Sequence, residues 1–481
     1  MSESILESVL EEFSKLAAIP RPSYHEEAVS KYLYEELQKL GLEVTRDEAG
    51  NVIADLKASA DCFNVPRTIL QSHMDMVCVA NEGVKFNPLT DPIKLIRTDE
   101  YLTADGTSLG ADDGMGIAEI LFVIKRIIKN NLSHGAIRAI FTVNEETGMS
   151  GAMALDKKYF TDAQFLINCD SENAEELVIG SAGSVHIDFN RKFNKIAPSM
   201  QNSFKLTISG LRGGHSGEEI NAGRANAIKV MIDLLDNIKE FELANISGGS
   251  AINAIPSSAE VTITTDLNEN DIDDCINSTV ERFHKVYNDI EPVINITREL
   301  LDEPQRVLTS KDCRQAMNLI SVLHSGVYAM SQAAPNLVET SANLGLIKMS
   351  GEDLTINFFP RSSVYEKLND FINISSRIAE MTDFEVKFSE PSPVWTENKN
   401  SRLANLMNEV FKRQNGQEMK IKTIHAGLEC SFFFDKNPAL DIVSIGTTNE
   451  HIHSPRERLK LSTVEPQVRL ILETLKIISN N

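Results

Sequence analysis

Along the first third of the chain, apolar residues recur first with a helical and then with a strand period. Ile5, Leu6, Val9, Leu10 and Phe13 fall on one side of a helical repeat, and Glu26–Leu40 shows the same pattern, so both segments are expected as amphipathic helices. Gly41–Arg46 and Asn51–Leu56 read as a hairpin around the turn residues Glu48–Asn51. Apolar runs follow at Thr68–Val77, Ala139–Val143 and Ala163–Cys169, with a long apolar helix, Gly114–Ile128, between them. Strands apolar on both faces belong in a sheet covered on both sides. Their alternation with helices predicts an α/β fold with a layered, mostly parallel sheet flanked by helices.

Near Val185 the texture changes. The stretches HIDFNRKF and SFKLTISGL alternate in strand fashion, followed by a helix at Ala225–Leu235 and a strand at Ala259–Asp266. A coarsely similar grouping returns from Leu354 to Phe388: LTINFFPR, a helix around Val364–Glu380, then DFEVKF. After the polar, proline-bearing Ser389–Asn400, the helix–strand alternation resumes. The expected organisation is an α/β domain built from 1–185 and 394–481, interrupted by an inserted α+β domain at 186–393.

Composition narrows the function more than the fold. At 481 residues the chain is too long for one core, and 42% hydrophobic with 24% charged residues excludes wholesale disorder. With 47 basic against 69 acidic side chains, the net charge of −22 repels phosphates, which argues against a nucleic-acid partner. The acidic start lacks the basic residues and apolar run of a secretory signal, and no apolar stretch approaches the roughly 20 residues that span a bilayer. Six cysteines without CxxC spacing fit reduced thiols. A cytoplasmic location without a membrane partner is the expectation.

Candidate chemistry gathers where the predicted strands of the first domain end. QSHMDMV places His73 and Asp75 two apart, on one face of a strand, where the carboxylate can orient the imidazole of a metal ligand. SLGADDGMGIAEI puts Asp112 and Asp113 at a helix entry, positions that suit capping as well as ligation. FTVNEETGMSG carries adjacent Glu145 and Glu146, two carboxylates suited to separate tasks as ligand and proton carrier. FLINCDSEN ends a strand with Asp170, while Cys169 reads as strand packing, and GTTNEHIHSPRERL offers His451 or His453. Each stretch is weak alone. Together they supply His, Asp, Glu, Asp and His, a donor set for two zinc ions sharing a carboxylate, with a free glutamate for general-base work.

The order and wording of these stretches, with IPRPSYHEE, GTSLGADDGMG, LRGGHSGEEI, NAIP, TIHAGLEC, VSIG and HSP, resemble the cocatalytic-zinc metallopeptidase superfamily over nearly the whole chain. GGHSGEEI and IHAGLEC look most like its bacterial aminoacyl-histidine (Xaa-His) dipeptidase branch. The resemblance implies a zinc-dependent catalytic domain and an inserted lid or dimerisation domain. His73 and Asp170 would hold one Zn2+, Glu146 and His453 the other, and Asp112 would bridge them, with Co2+ or Mn2+ as possible substitutes. Asp75 would support His73, and Glu145 would be the general base. His215 would reach the substrate carbonyl or carboxylate, and Asn253 and Arg361 would grip a C-terminal carboxylate. Gly427 and Glu429 match a glycine-rich active-site loop only loosely. The NEHI preceding His453 departs from the family pattern and keeps His451 as a rival ligand. The implied activity is hydrolysis of short dipeptides, β-Ala-His among them, by a protein that can form a homodimer. A tripeptidase, an N-acyl amino acid amidohydrolase and a non-catalytic metal-binding protein are the alternatives.

Overall fold

The buried runs of the first third become the centre of an eight-stranded sheet. In the computed structural model, which describes residues 4–303, 305–332 and 337–480, the chain divides into two compact units. The first comprises Met1–Ser181, Trp395–Thr423 and Leu428–Asn481, and the second Ala182–Val394 with Ile424–Gly427.

Across the sheet of the first unit the strands run in the order Glu43–Arg46, Val52–Leu56, Ile137–Thr142, Arg67–His73, Ala163–Asn168, Asp441–Ser444, Glu176–Ser181 and Lys420–Ile424. The four from Ile137–Thr142 to Asp441–Ser444 are mutually parallel. The hairpin of Glu43–Arg46 and Val52–Leu56 is antiparallel and joins Ile137–Thr142 antiparallel as well, so the sheet is parallel only at its centre. The reason is burial: every residue of Ile137–Thr142 is buried, whereas Glu43–Arg46 is largely exposed. Helices Ile5–Ala17, Ala111–Lys129 and Val464–Ser479 contribute Phe13, Leu16, Ile117, Leu121, Ile124, Leu470 and Ile471 to a core shared with Leu70, Phe141 and Ile167. Each such side chain, fully buried, contributes about 1.5–3 kcal/mol relative to exposure.

The strand expected to run from Thr68 to Val77 stops at His73. Beyond it the backbone serves other partners: the Met74 and Asp75 carbonyls accept from Arg21, and the Asp75 carboxylate accepts backbone N–H groups from Glu145 and Glu146. Asp75 therefore meets His73 from the irregular segment after the strand and not as a same-face strand neighbour.

The second unit holds a ten-stranded sheet with all described pairings antiparallel. Ile187–Lys192, Asn202–Ser209, Ala259–Thr265 and Asp353–Ser362 all belong to it, so the two similar strand–helix groupings in the sequence share one sheet. Helices Ala227–Ile238, Glu269–Tyr287, Ser310–Val322 and Tyr365–Thr382 bury Met231, Phe283, Leu319 and Phe371 in its core. Asn268 caps Glu269–Tyr287 reciprocally with Asp271, and Asn226 accepts from Ile228 and Lys229 at the start of Ala227–Ile238. Among the described residues no helix is long and apolar enough to cross a membrane.

Candidate metal centre

Three parallel strands deliver acidic or imidazole groups at their C-terminal ends, where open α/β sheets bind ligands. His73 is the last residue of Arg67–His73, Glu145 and Glu146 follow Ile137–Thr142, and Asp170 follows Ala163–Asn168. Asp112 and Asp113, joined by a cis peptide, have non-helical backbone angles, so the regular helix begins at Gly114. Their side chains part there. Asp113 turns inward, its oxygens accepting from the backbone N–H of His73 and of Gly116, which is the capping role. Asp112 is left for the opposite side.

Asp112 stands between two imidazoles. Its Oδ1 lies 3.0 Å from His73 Nε2 and its Oδ2 lies 3.0 Å from His453 Nε2. Asp170 Oδ1 is 3.3 Å from His73 Nε2, and Glu146 Oε2 is 2.9 Å from His453 Nε2. Two ligand groups result, His73–Asp112–Asp170 and Asp112–Glu146–His453, each with its donor atoms within 4.8 Å of one another. They share Asp112. Glu145 joins His73 and Glu146 in a third grouping of the same span.

Asp75 organises this cluster from behind. Its Oδ1 is 3.4 Å from His73 Nδ1, and its two oxygens accept from Glu145 N at 3.0 Å and Glu146 N at 3.2 Å. Ser23 Oγ donates to it at 2.8 Å. One buried carboxylate thus aims an imidazole and fixes the two-residue segment carrying both glutamates.

The charges are poorly balanced without cations. Burial, then repulsion from Asp170, pushes the Asp113 carboxyl up, and burial pushes Asp170 up to about 6 against the pull of His73. Burial also raises Glu145 well above the carboxylate range, and burial with Asp112 repulsion raises Glu146. Burial would lower the His73 and His453 imidazoles, but the carboxylates facing them outweigh it: Asp170 and Asp112 raise His73, and Asp112 and Glu146 raise His453 to about 11. A divalent ion in each group would take the place of the protons that these imidazoles otherwise hold and would balance the crowded carboxylates. His73 Nδ1 is buried and faces Asp75 Oδ1 at 3.4 Å, which leaves Nε2 turned toward Asp112 and Asp170 as the ligating nitrogen. Mixed imidazole and carboxylate donors suit zinc, so the residues present fit such a group.

His451 is exposed and belongs to none of the described ligand groups, so His453 is the histidine brought to the cluster. His425 Nε2 meets Ser341 Oγ at 2.7 Å. In the second unit, His215 pairs with Ala254 in a short ladder, and Ser216 N donates to Asn253 O at 2.8 Å, so His215 and Asn253 adjoin. Arg361 is buried with its guanidinium 4.7 Å from the Phe359 ring, and burial lowers it to about 10.

Sequence reading missed most of the buried polar layer behind the ligands and named Glu429 only as a loose match to an active-site loop. Glu429 Oε2 accepts from Gln71 Nε2 at 2.6 Å and Thr142 Oγ1 at 2.7 Å, and Asn168 Nδ2 donates to Gln71 Oε1 at 2.6 Å. Arg21 and Glu457 are likewise buried near the ligand-bearing loops. The available signal was distance along the chain: Gln71 and Asn168 each precede a ligand by two residues, and Glu457 follows His453 by four.

Residues 69–477 match Peptidase family M20/M25/M40. The chain is 32% identical to the cytosol non-specific dipeptidase of Escherichia coli (strain K12) over 471 residues, covering 97% of this chain and 96% of that protein. It superposes on the crystal structure of aminoacylhistidine dipeptidase from Vibrio alginolyticus with a TM-score of 0.83 at 31% identity, covering 98% of both chains. A tripeptidase from Staphylococcus aureus shares the fold, at a TM-score of 0.62 and 19% identity over 99% of both chains. With full-length likeness of this degree and two ligand groups sharing one aspartate, the chain belongs to Peptidase family M20/M25/M40 and is a metallopeptidase.

Proposed function

We propose that this M20 metallodipeptidase hydrolyses short dipeptides, Xaa-His such as β-Ala-His among them, with two zinc ions and Glu145 as general base. The observation that carries the reading is Asp112, with one oxygen 3.0 Å from each of two histidines and a further carboxylate beside each. His73, Asp170 and Asp112 would hold one ion, and His453, Glu146 and Asp112 the other. When bound, the ions supply Lewis acidity to the scissile carbonyl and acidify water near neutral pH.

The chain's own residues do the rest. Glu145 takes a proton from water as its oxygen adds to the carbonyl carbon, then delivers that proton to the amine as the C–N bond breaks. Two amines with free carboxylates leave, and Glu145 is regenerated. Asp75 keeps Glu145 in place through its backbone N–H while orienting His73. His215, Asn253 and Arg361 on the inserted unit bind the substrate, Arg361 and Asn253 taking its terminal carboxylate. The Escherichia coli relative's designation as a cytosol dipeptidase supports a cytoplasmic location, and its designation as non-specific makes breadth across dipeptides the second reading.

A substrate panel tests this. Dipeptides including β-Ala-His, tripeptides and N-acetyl amino acids are incubated with zinc-loaded protein, with and without chelator. Chelator-sensitive, zinc-restored cleavage confined to dipeptides is expected. Turnover of N-acetyl amino acids in place of dipeptides would overturn the substrate assignment and keep the metal centre.

A further inference from the structure

Between the ligand-bearing loops lies a pair of buried, oppositely charged residues to which no role has been given above. Arg21, in Pro20–Arg21–Pro22, is 1% exposed, and Glu457 is 3% exposed. Arg21 Nη1 donates to the carbonyls of Met74 and Asp75, both at 2.9 Å, and Nη2 donates to the carbonyl of Gly110. From the other side, Glu457 Oε2 accepts from Leu109 N at 2.8 Å and Gly110 N at 3.0 Å. Its Oε1 accepts from Ala111 N at 2.8 Å and Asp112 N at 3.5 Å.

Gly110 is therefore held at its carbonyl by a guanidinium and at its N–H by a carboxylate. It sits in the left-handed region, at φ +70°, where a Cβ would lie 2.7 Å from Arg21 Nη2 and 2.5 Å from Met76 Sδ. Only glycine leaves room here for the Arg21 guanidinium and the Met76 side chain against the backbone. The contacts tie three segments together. Arg21 joins the segment after His73 to the loop before Asp112, and Glu457 joins that loop to the segment carrying His453. Each of these segments supplies one corner of the two ligand groups.

We infer that Arg21 and Glu457 are positioning residues for the metal centre, fixing Asp112 between His73 and His453 through the backbone of 109–112. The inference rests on the two-metal reading above. A bridging carboxylate must present both oxygens at once, so it is more sensitive than any other ligand to movement of its own backbone. Groups that orient ligands without touching the metal commonly govern affinity by about 10–100-fold.

The test compares wild type, Glu457→Gln and Arg21→Lys for zinc affinity by competition with a chromophoric chelator, for kcat and KM, and for Tm. Glutamine keeps the shape but turns an NH2 toward two N–H donors, and lysine cannot span three carbonyls as the planar guanidinium does. Zinc affinity is expected to fall about 10–100-fold in each variant, with kcat restored by excess zinc and KM within about two-fold of wild type. Glu450→Gln, which removes the ion pair with Arg458 in the same hairpin, is the control and should keep wild-type zinc affinity. Wild-type zinc affinity in both variants, whatever their Tm, overturns the inference, and if one variant does not fold the other decides. Wild-type protein that takes up no zinc is a separate result, rejecting the metal centre itself.

Discussion

Glu145 and Glu146 are adjacent in sequence, and both backbone N–H groups are held by the same Asp75 carboxylate, yet their side chains meet different partners. Glu146 reaches His453, whereas Glu145 lies half-buried beside His73 and is pushed up chiefly by desolvation, the condition that suits a proton carrier. Glu145→Gln is expected to keep its zinc content and lose about 10²–10⁴-fold in kcat, measured together by metal analysis and turnover. His453→Ala should lose bound zinc, whereas His451→Ala should retain it, because only His453 faces Asp112 and Glu146. His425, in the second unit, gives a pH effect of its own. Burial, then the Arg361 charge, lowers its imidazole to about 3, so the folded chain keeps it neutral where the unfolded chain protonates it. Between the unfolded value near 6.5 and about 3 the unfolded state binds more protons, so stability falls as pH falls through that window. Melts at pH 7 and about pH 5 should therefore show a smaller acid loss for His425→Gln than for wild type. An equal loss in both proteins would show that His425 is not the group responsible.

At the scale of elements, the ligand positions follow from where parallel strands end and how tightly their ends are joined. Ile445 N donates to Asn168 O and Ser171 N donates to Ile445 O, so the loop bearing Asp170 is stitched to the end of Asp441–Ser444. A Cβ on Gly446 would lie 1.6 Å from Ser171 O, and the stitched backbones cannot separate to admit it. Gly446→Ala is expected to destabilise the fold by about 1–3 kcal/mol or more and to weaken zinc binding through Asp170, read by Tm and chelator competition. Helical and strand periods made these elements visible in the sequence because one residue type dominates each buried face. Where the expectation failed, as in the strand drawn through Val77, a side chain rather than a period decided. The Arg21 guanidinium and the N–H groups of Glu145 and Glu146 draw the chain out of the ladder after His73.

Across the whole molecule, a net charge of −22 accompanies a local crowd of carboxylates at the metal centre. Divalent ions bound only by the folded state stabilise it by mass action, so chelation should lower Tm and zinc should restore it. Salt screens the remaining repulsion over a Debye length of about 10 Å at 0.1 M. Raising sodium chloride from about 0.05 to about 0.5 M should therefore raise the Tm of the chelated protein more than that of the zinc-loaded protein. A larger salt effect on the loaded protein would mean that carboxylate repulsion at this site does not limit stability.

By itself, the sequence determined the α/β character of the first unit, the strand–helix texture of the second, and the stretches that carry ligand-type residues: His73 with Asp75, Asp112 with Asp113, Glu145 with Glu146, Asp170, and His451 with His453. Those features are local: periods are set by the geometry of helix and strand, and ligand chemistry is set by residue type. Tertiary structure alone decided that Asp112 faces both histidines while Asp113 turns inward to cap. It also decided that His453 and not His451 joins the cluster, and that Asp75 serves His73 from the irregular segment after its strand. The same holds for Arg21, Gln71 and Glu457, polar residues buried behind the ligands, and for the partners of Glu429. Their partners are backbone groups and side chains tens to hundreds of residues away, and no short-range pattern records which of many polar residues will find them.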